Sequence, residues 1–282
     1  MQLLYDPRDD AYHERIGSRI LYWLDDLRAV PLGEADPARP GFLFAGARSV
    51  NDYRELVAGL PQVRDRPEER EPLLRLDTVL QAIEEAGVHV PMSRTWALPL
   101  DAPLPDDLAF PLFVRTAESS WKKGGRISKV ATARELEDEA AALRRALGWD
   151  AVILAREWLD LAAAGEGRYG PVPQEVRTWI VDGVPFAWSF HHLHVVPRPA
   201  GFPPSPGDLA ELRRLAGRVA PAFRSRLVAA DFARGSDGRW WFIEAGPGSC
   251  AGTAHEAVFK AVARRLRGEA VEIEADAVGG LL

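Results

Sequence analysis

The sequence predicts a mixed α/β and α+β chain in two parts: a small N-terminal α/β domain, residues 1–104, and a larger β-rich domain, residues 105–282. Three observations predict it. Short apolar strands alternate with amphipathic helices through the first hundred residues. The connection LDAPLPDDLAFP, Leu100–Pro111, carries prolines among aspartates, which favour extended chain and turns over helix. Beyond it, apolar strands recur with the turn signals of hairpins.

In chain order, IGSRILYWLDDLRAV has apolar residues Ile16, Ile20, Trp23, Leu24 and Leu27 at helical spacing. PGFLFAG, Pro40–Gly46, is a short apolar strand, and NDYRELVAGL is a helix capped by Asn51 or Asp52. The charged, proline-bearing stretch Arg64–Glu71 predicts a solvated turn. Leu73–Val88 predicts an amphipathic helix stopped at Gly87, followed by extended VPMSRTWAL. LFVRT and ISKVA are strands flanking the polar, basic loop ESSWKKGGR. TARELEDEAAALRRALG is a helix with Thr132 as cap, Glu135 at the third position and Gly148 as stop. AVILAREWL is a buried strand, and AAAGEGRYGPVP is a flexible loop. QEVRTWIVDGVPFAWSFHHLHVV predicts a hairpin turning at Asp182–Gly183. Asp208–Phe223 is a helix, LVAADFARGSDGRWWFIE a second hairpin, and Glu256–Leu266 a closing helix.

Composition bounds the function. Hydrophobic residues make up 47% and charged residues 27%, as in an ordinary globular protein. The net charge of −6 argues against non-specific nucleic-acid binding as the main activity and leaves room for a local basic cleft. A single cysteine, Cys250, forms no internal disulfide and builds no Cys/His zinc pattern. The opening MQLLYDPRDD has early acids and no apolar h-region, and no run of 18 apolar residues occurs. The expectation is a cytoplasmic protein without a membrane span.

Asp231 lies near the end of LVAADF and Glu244 near the end of WWFIE. A hairpin brings such residues onto neighbouring strands, so two carboxylates can face one cleft. Paired acids repel unless a cation lies between them, and hard oxygen donors suit Mg²⁺. The matching basic groups are Arg115, Lys122, Lys123 and Lys129, set around a Gly/Ser loop that suits phosphate oxygens. Arg156 stands among apolar neighbours in VILAREWL, which predicts that it points into a polar cleft or at an acid. Glu175 and Arg177 share one strand face. Gly246, Pro247, Gly248 and Gly252 follow Glu244 and let the backbone turn and approach a ligand.

This order of parts, with the phrases ILAREWLDL, QEVRTWIVDG, VAADFA and FIEAGPGSCAG between about Pro111 and Leu266, resembles the ATP-grasp superfamily. It is similar in detail to the clade named for two arginines and one lysine. The resemblance implies two α+β subdomains, about 105–155 and about 156–268, clasping a nucleotide and ending in a short tail. The N-terminal part then corresponds to the α/β domain that precedes the ATP-grasp fold. The implied activity is ATP- and Mg²⁺-dependent ligation of a carboxylate to an amine through an acyl phosphate.

The same resemblance implies residue roles. Arg115 would bind phosphate, with Lys123 or Lys129 as the second base and Ser119–Arg126 as a loop over the phosphates. Glu157, Trp158 and Leu159 would be the hinge strand meeting adenine, and Glu175 would hold the ribose hydroxyls. Asp231 and Glu244 would hold Mg²⁺, while Arg156 and Arg177, with Lys123, would act on the phosphate or the substrate carboxylate. Two departures matter. Many relatives have Glu-x-Asn where this chain has Glu244-Ala245-Gly246, which removes one metal ligand. Ala229 and Ala230 stand where D-alanine ligases carry an arginine before the aspartate, so a D-alanine–D-alanine ligase is not the expectation. The partners implied are small-molecule or peptide carboxylates and amines, and a homodimer is compatible with the family. The competing readings are a nucleotide-binding module without turnover and a kinase using the same cleft.

Other features carry less. Of His191, His192 and His194, the last two would share a face of a strand as a metal pair, with no third ligand evident in the sequence; the competing reading is that these histidines line a substrate groove or lie on a strand exterior. Cys250 would need a base to act as a nucleophile and is read as a small residue in a tight turn.

Overall fold

A computed structural model of the chain describes residues 1–9, 20–46, 49–100, 103–118, 128–168, 170–251, 255–276 and 278–282. The chain opens with a parallel sheet of β1 (Gln2–Tyr5), β2 (Val30–Pro31), β3 (Gly41–Phe44) and β4 (Val63–Arg64), ordered β2-β1-β3-β4. Helices α1 (Ile20–Asp26) and α2 (Val50–Val57) accompany it. LLY and FLF are apolar without alternation because both sheet faces are covered. Leu3, Phe42 and Phe44 pack with Trp23 and Leu24 of α1 and with Leu27 just after it, while Leu4 and Leu43 pack with Tyr53 and Val57 of α2. The cap of α2 lies earlier than expected. The Ser49 hydroxyl accepts from the Asp52 N–H, and the Asp52 carboxylate accepts from the Ser49 N–H.

The stretch expected as a solvated turn keeps Arg64, Arg66, Glu68 and Glu71 exposed but buries part of its length. It forms a one-turn helix α3 (Pro67–Arg70), and Asp65 and Arg70 are buried. The Arg70 guanidinium lies 4.0 Å from the Tyr53 ring centroid and donates from Nη2 to the Ala45 carbonyl. Asp65 accepts from the Ser225 hydroxyl, and burial pushes its carboxyl up from 3.8 to about 6. A carboxyl raised in the fold favours folding while protonated, and that contribution is lost as pH rises through the folded value. Stability should therefore fall as pH rises from about 4 to about 7, and Asp65→Asn should flatten the slope. Urea unfolding of both proteins at several pH values checks this, and an unchanged slope in the variant counts against it.

Helix α4 (Leu76–Glu85) follows a 3₁₀ turn over Glu71–Leu73 and gives way at Gly87, whose φ of 66° suits a residue without Cβ. Leu76, Val79 and Ile83 recur at helical spacing and face a larger core. Burying each such side chain contributes about 1.5–3 kcal/mol.

Two antiparallel sheets build the rest. The first has β5 (Thr95–Leu98), β6 (Leu112–Thr116), β7 (Lys129–Val130) and β8 (Ile153–Glu157), ordered β5-β8-β6-β7. Leu112, Val114, Ile153 and Ala155 face α5 (Ala133–Leu147), which Thr132 caps by accepting from the Glu135 N–H and Gly148 ends. A small hairpin of β9 (Ala163–Gly167) and β10 (Gly170–Pro173) replaces the expected flexible loop.

The second large sheet has β11 (Glu175–Val181), β12 (Val184–Phe190), β13 (Leu227–Arg234), β14 (Trp240–Pro247) and β15 (Gly279–Leu281), ordered β14-β13-β11-β12-β15. β11 and β12 turn through Asp182 and Gly183, both at positive φ as a type I′ turn requires. One face carries Val176, Ile180, Val228 and Phe232 against α4 and α6 (Pro206–Val219). The other carries Trp179, Val181, Leu227 and Ala229 against α1, the parallel sheet and α7 (Glu256–Leu266).

α4 and β5 both precede the proline-rich connection at residue 104, yet α4 packs in the core of the five-stranded sheet and β5 pairs with β8. The expected subdomain border at 155/156 falls inside β8, which runs to Glu157. The histidine segment also differs. β12 ends at Phe190, and His191–Val195 form turns rather than strand, so the alternation expected for His192 and His194 does not apply.

Candidate active site

The antiparallel four-stranded sheet and the five-stranded sheet meet across a buried cluster of charged side chains. Cross-strand register sets its floor. Arg177 on β11 lies opposite Asp231 on β13, and Asp231 lies opposite Glu244 on β14. Ser189 on β12 extends the row beyond Arg177. Arg177 meets Asp231 through two parallel bonds, Nε–Oδ1 at 2.8 Å and Nη2–Oδ2 at 2.7 Å. This is the planar fork a guanidinium offers a carboxylate. Burial works against the Arg177 charge, and the carboxylates of Asp231, Glu244 and Glu175 more than offset it, raising Arg177 above its ordinary value.

The second wall comes from β6 and β8. On those strands the residues alternate with the ones facing α5, so Arg115 and Arg156 point the other way, toward the five-stranded sheet. Arg115 Nη1 reaches Glu244 Oε2 at 2.5 Å. Burial would raise the Glu244 carboxyl, but Arg115 outweighs it and holds the group down to about 2. Arg156 donates from Nε to Ser93 Oγ at 3.1 Å and from Nη1 to the Ile243 carbonyl at 2.8 Å. Ile243 is the extra residue of a bulge, since Asp231 pairs with Glu244 while Phe232 pairs with Phe242. The bulge gives Arg156 its carbonyl and keeps Glu244 in the row. Arg156 Nη2 is buried with no hydrogen-bond partner among the described residues. Burial, and then the neighbouring Arg115 charge, push its guanidinium down to about 10.

The structure thus brings Arg115, Arg156, Arg177, Asp231 and Glu244 into one cleft. Glu175, at the start of β11, sits at its rim, where its carboxylate meets His192 Nε2 at 2.9 Å. Glu157 ends β8, and its carboxylate accepts from the Arg94 N–H. The Trp158 N–H donates to the Pro111 carbonyl, so it is already used. Of Glu157, Trp158 and Leu159, Leu159 alone has no backbone hydrogen bond among the described residues. Lys129 does not join the arginines. Its ammonium lies 4.2 Å from the Trp158 ring centroid, beside the hinge. Lys123 and the Ser119–Arg126 loop lie outside the described residues.

The donor set suits a hard divalent cation. Glu244 Oε1 has no hydrogen bond among the described residues, and Asp231 retains lone pairs beyond the two its Arg177 bonds occupy. Gly246 is on the same strand two residues beyond Glu244, where an added Cβ would meet only the Leu73 carbonyl at 3.9 Å. Packing therefore does not impose glycine there. Sequence reasoning missed Ser93 and Ser189, and placed the histidines on a strand. Ser93 carries no local signal, Ser189 is legible only from its register with Arg177, and His191 and His192 were read on strand geometry that the turn replaces. Burial, with Arg177 adding to it, pushes the His191 imidazole down to about 3.

A family model for an ATP-grasp domain, family 3 of the clade named for two arginines and one lysine, matches residues 69–266. No curated protein sequence matches the chain. Among solved structures, a D-alanine–D-alanine ligase from Bacillus anthracis complexed with ATP superposes with a TM-score of 0.60 at 14% identity, covering 88% of this chain and 86% of that one. An N5-carboxyaminoimidazole synthase from Aspergillus clavatus, in complex with ADP and 5-aminoimidazole ribonucleotide, gives 0.61 at 11% identity, covering 98% and 79%. An L-amino acid ligase from Bacillus licheniformis gives 0.53 at 12% identity, covering 94% and 74%. At these identities the likeness is one of fold.

Proposed function

The chain belongs to the two-arginine, one-lysine clade of the ATP-grasp family, and on that premise we propose that it is an ATP- and Mg²⁺-dependent ligase joining a carboxylate to an amine through an acyl phosphate. The observation that carries the reading is the compensated row Arg177–Asp231–Glu244 closed from the opposite sheet by Arg115. Such a row presents oxygen ligands and guanidinium groups to one point, as phosphoryl transfer requires.

In this reading Leu159 offers its backbone groups to adenine, with Glu157 and Trp158 shaping the hinge, and Glu175 accepts from the ribose hydroxyls. Arg115, with Lys123 as a further base, holds the phosphates, and Lys129 reaches the nucleotide only from its place beside Trp158. Asp231 and Glu244 hold Mg²⁺, which offsets charge on the phosphoryl oxygens. Arg156, with a buried Nη2 to spare, orients the substrate carboxylate or its acyl phosphate, and Arg177 steadies Asp231. The carboxylate oxygen attacks the γ-phosphorus and ADP leaves. The amine then attacks the carbonyl carbon, loses a proton and releases phosphate. The burial of these arginines favours exclusion of water, which would otherwise hydrolyse the acyl phosphate. We place the nucleotide-binding unit from about residue 69 onward, with the parallel sheet as a separate N-terminal unit.

A second reading, a nucleotide sensor without turnover, is favoured by Gly246 in place of an amide ligand. Hydroxylamine traps acyl phosphates as hydroxamates, so a screen of carboxylates with ATP, Mg²⁺ and hydroxylamine separates the two. Hydroxamate and ADP in equal amounts support the ligase. Nucleotide binding with no hydroxamate across a broad acid panel supports the sensor. Failure to bind nucleotide at all overturns both.

A further inference from the structure

We propose that Glu175, His191 and His192 form a site for a divalent transition metal of the zinc class, at the rim of the cleft and distinct from the oxygen pair Asp231–Glu244. One ligand atom from each residue lies within 4.8 Å of the other two. The turn after β12 makes this arrangement. On a strand, consecutive residues such as His191 and His192 would face opposite ways, whereas here their rings stand 4.5 Å apart at 72°. The His191 N–H donates to the Glu175 carbonyl at 2.9 Å, which fixes the turn against the start of β11. Phe190 packs edge-on against His192 at 6.1 Å and limits its ring.

The chemistry of the donors selects the cation. Two imidazoles and a carboxylate suit zinc-like ions, whereas Mg²⁺ prefers oxygen alone. Three protein ligands leave a fourth position for water or a bound molecule. His192 Nε2 and Glu175 Oε2, at 2.9 Å, are already near the separation of two ligands on one ion. His191 Nδ1 is buried with no hydrogen-bond partner among the described residues, so this nitrogen is not consumed by the fold. The nearby Arg177 charge is matched by Asp231, whose Oδ2 lies 4.0 Å from His191 Nδ1.

The site has a consequence that rests on the ligase reading. Glu175 is also the proposed ribose contact, so a metal held there withdraws that carboxylate from the nucleotide. Zinc-class ions should therefore weaken nucleotide binding, making the rim site an inhibitory one.

The test uses tag-free, metal-stripped full-length protein. Zn²⁺ is titrated against a chromophoric chelator, and Co²⁺ reports geometry through its visible absorption. The expected result is one equivalent of either ion with tetrahedral Co²⁺ bands. His191→Ala, His192→Ala and Glu175→Gln should each weaken binding by more than about tenfold, while His194→Ala should not. Circular dichroism confirms that each variant folds, and Glu175→Gln preserves shape where an alanine would not. Absence of stoichiometric binding, or binding unchanged in the three ligand variants, overturns the site. Titration of an ATP analogue with and without Zn²⁺ then tests the consequence. Equal nucleotide affinity in both overturns the antagonism and leaves the metal site standing. No nucleotide binding in either, with Zn²⁺ still bound, overturns the ligase reading instead.

Discussion

Asp231→Asn should destabilise the protein by about 3–5 kcal/mol, the loss seen when one partner of a buried ion pair is removed. Asp231 is 1% and Arg177 8% exposed, so the stranded guanidinium has little water to turn to. The double variant Arg177→Met with Asp231→Leu removes both charges and should recover most of that loss, because apolar replacements of a buried pair are often neutral or better. Urea unfolding of the two singles and the double gives the coupling directly. A double variant as unstable as the sum of the singles would show that the pair does not act as a unit. The comparison also separates stability from activity, since the stable double variant still lacks the metal-holding carboxylate and should remain inactive.

Glu244→Gln should lower stability, because the buried Arg115 loses its charged partner, yet still fold, and should remove Mg²⁺-dependent nucleotide binding. The side chain is the less buried of the two acids and its amide can still accept from Arg115. Any ligase turnover should fall by about 10²–10³, the typical cost of removing one preorganised electrostatic contact at a reacting centre. Calorimetric titration with a non-hydrolysable ATP analogue, with and without Mg²⁺, reads the first effect. Equal affinity in wild type and variant under all conditions would place the metal elsewhere. The variant also changes the acid limb of stability. Because the folded Glu244 carboxyl is held down to about 2, its contribution is present above the ordinary value of 4.5 and lost as pH falls toward 2. Glu244→Gln should lack that part of the acid transition.

Much of the candidate site was legible in the sequence because it is carried by a hairpin. LVAADF and WWFIE must pair if they turn at SDG, and pairing alone brings Asp231 and Glu244 together. Arg177 was legible only as sharing a strand face with Glu175, and its place opposite Asp231 comes from the β11–β13 register. Arg156 was legible as a charge that needed a polar target, though not which target. The rim was not legible. His192 meets Glu175 across 17 residues, and only the end of β12 at Phe190 decides that both histidines turn toward it.

The sequence by itself determined most of the long periodic elements, the Thr132 cap, the Gly148 stop, the Asp182–Gly183 turn and membership in a family whose motifs lie in order along the chain. Those features depend on neighbours a few residues away, through backbone preference and the spacing of apolar side chains. Tertiary structure alone decided which charges are buried and what they face. Arg115 finds Glu244 across 129 residues, Arg156 finds the Ile243 carbonyl across 87, and Asp65 finds Ser225 across 160. It also decided that α4 packs in the core of the five-stranded sheet and β5 pairs with β8, because an apolar stripe states only that it must be covered. A charged side chain in a sequence is equally compatible with water and with a partner. The free energy that chooses between them comes from desolvation and pairing, and both exist only once distant segments have closed around it.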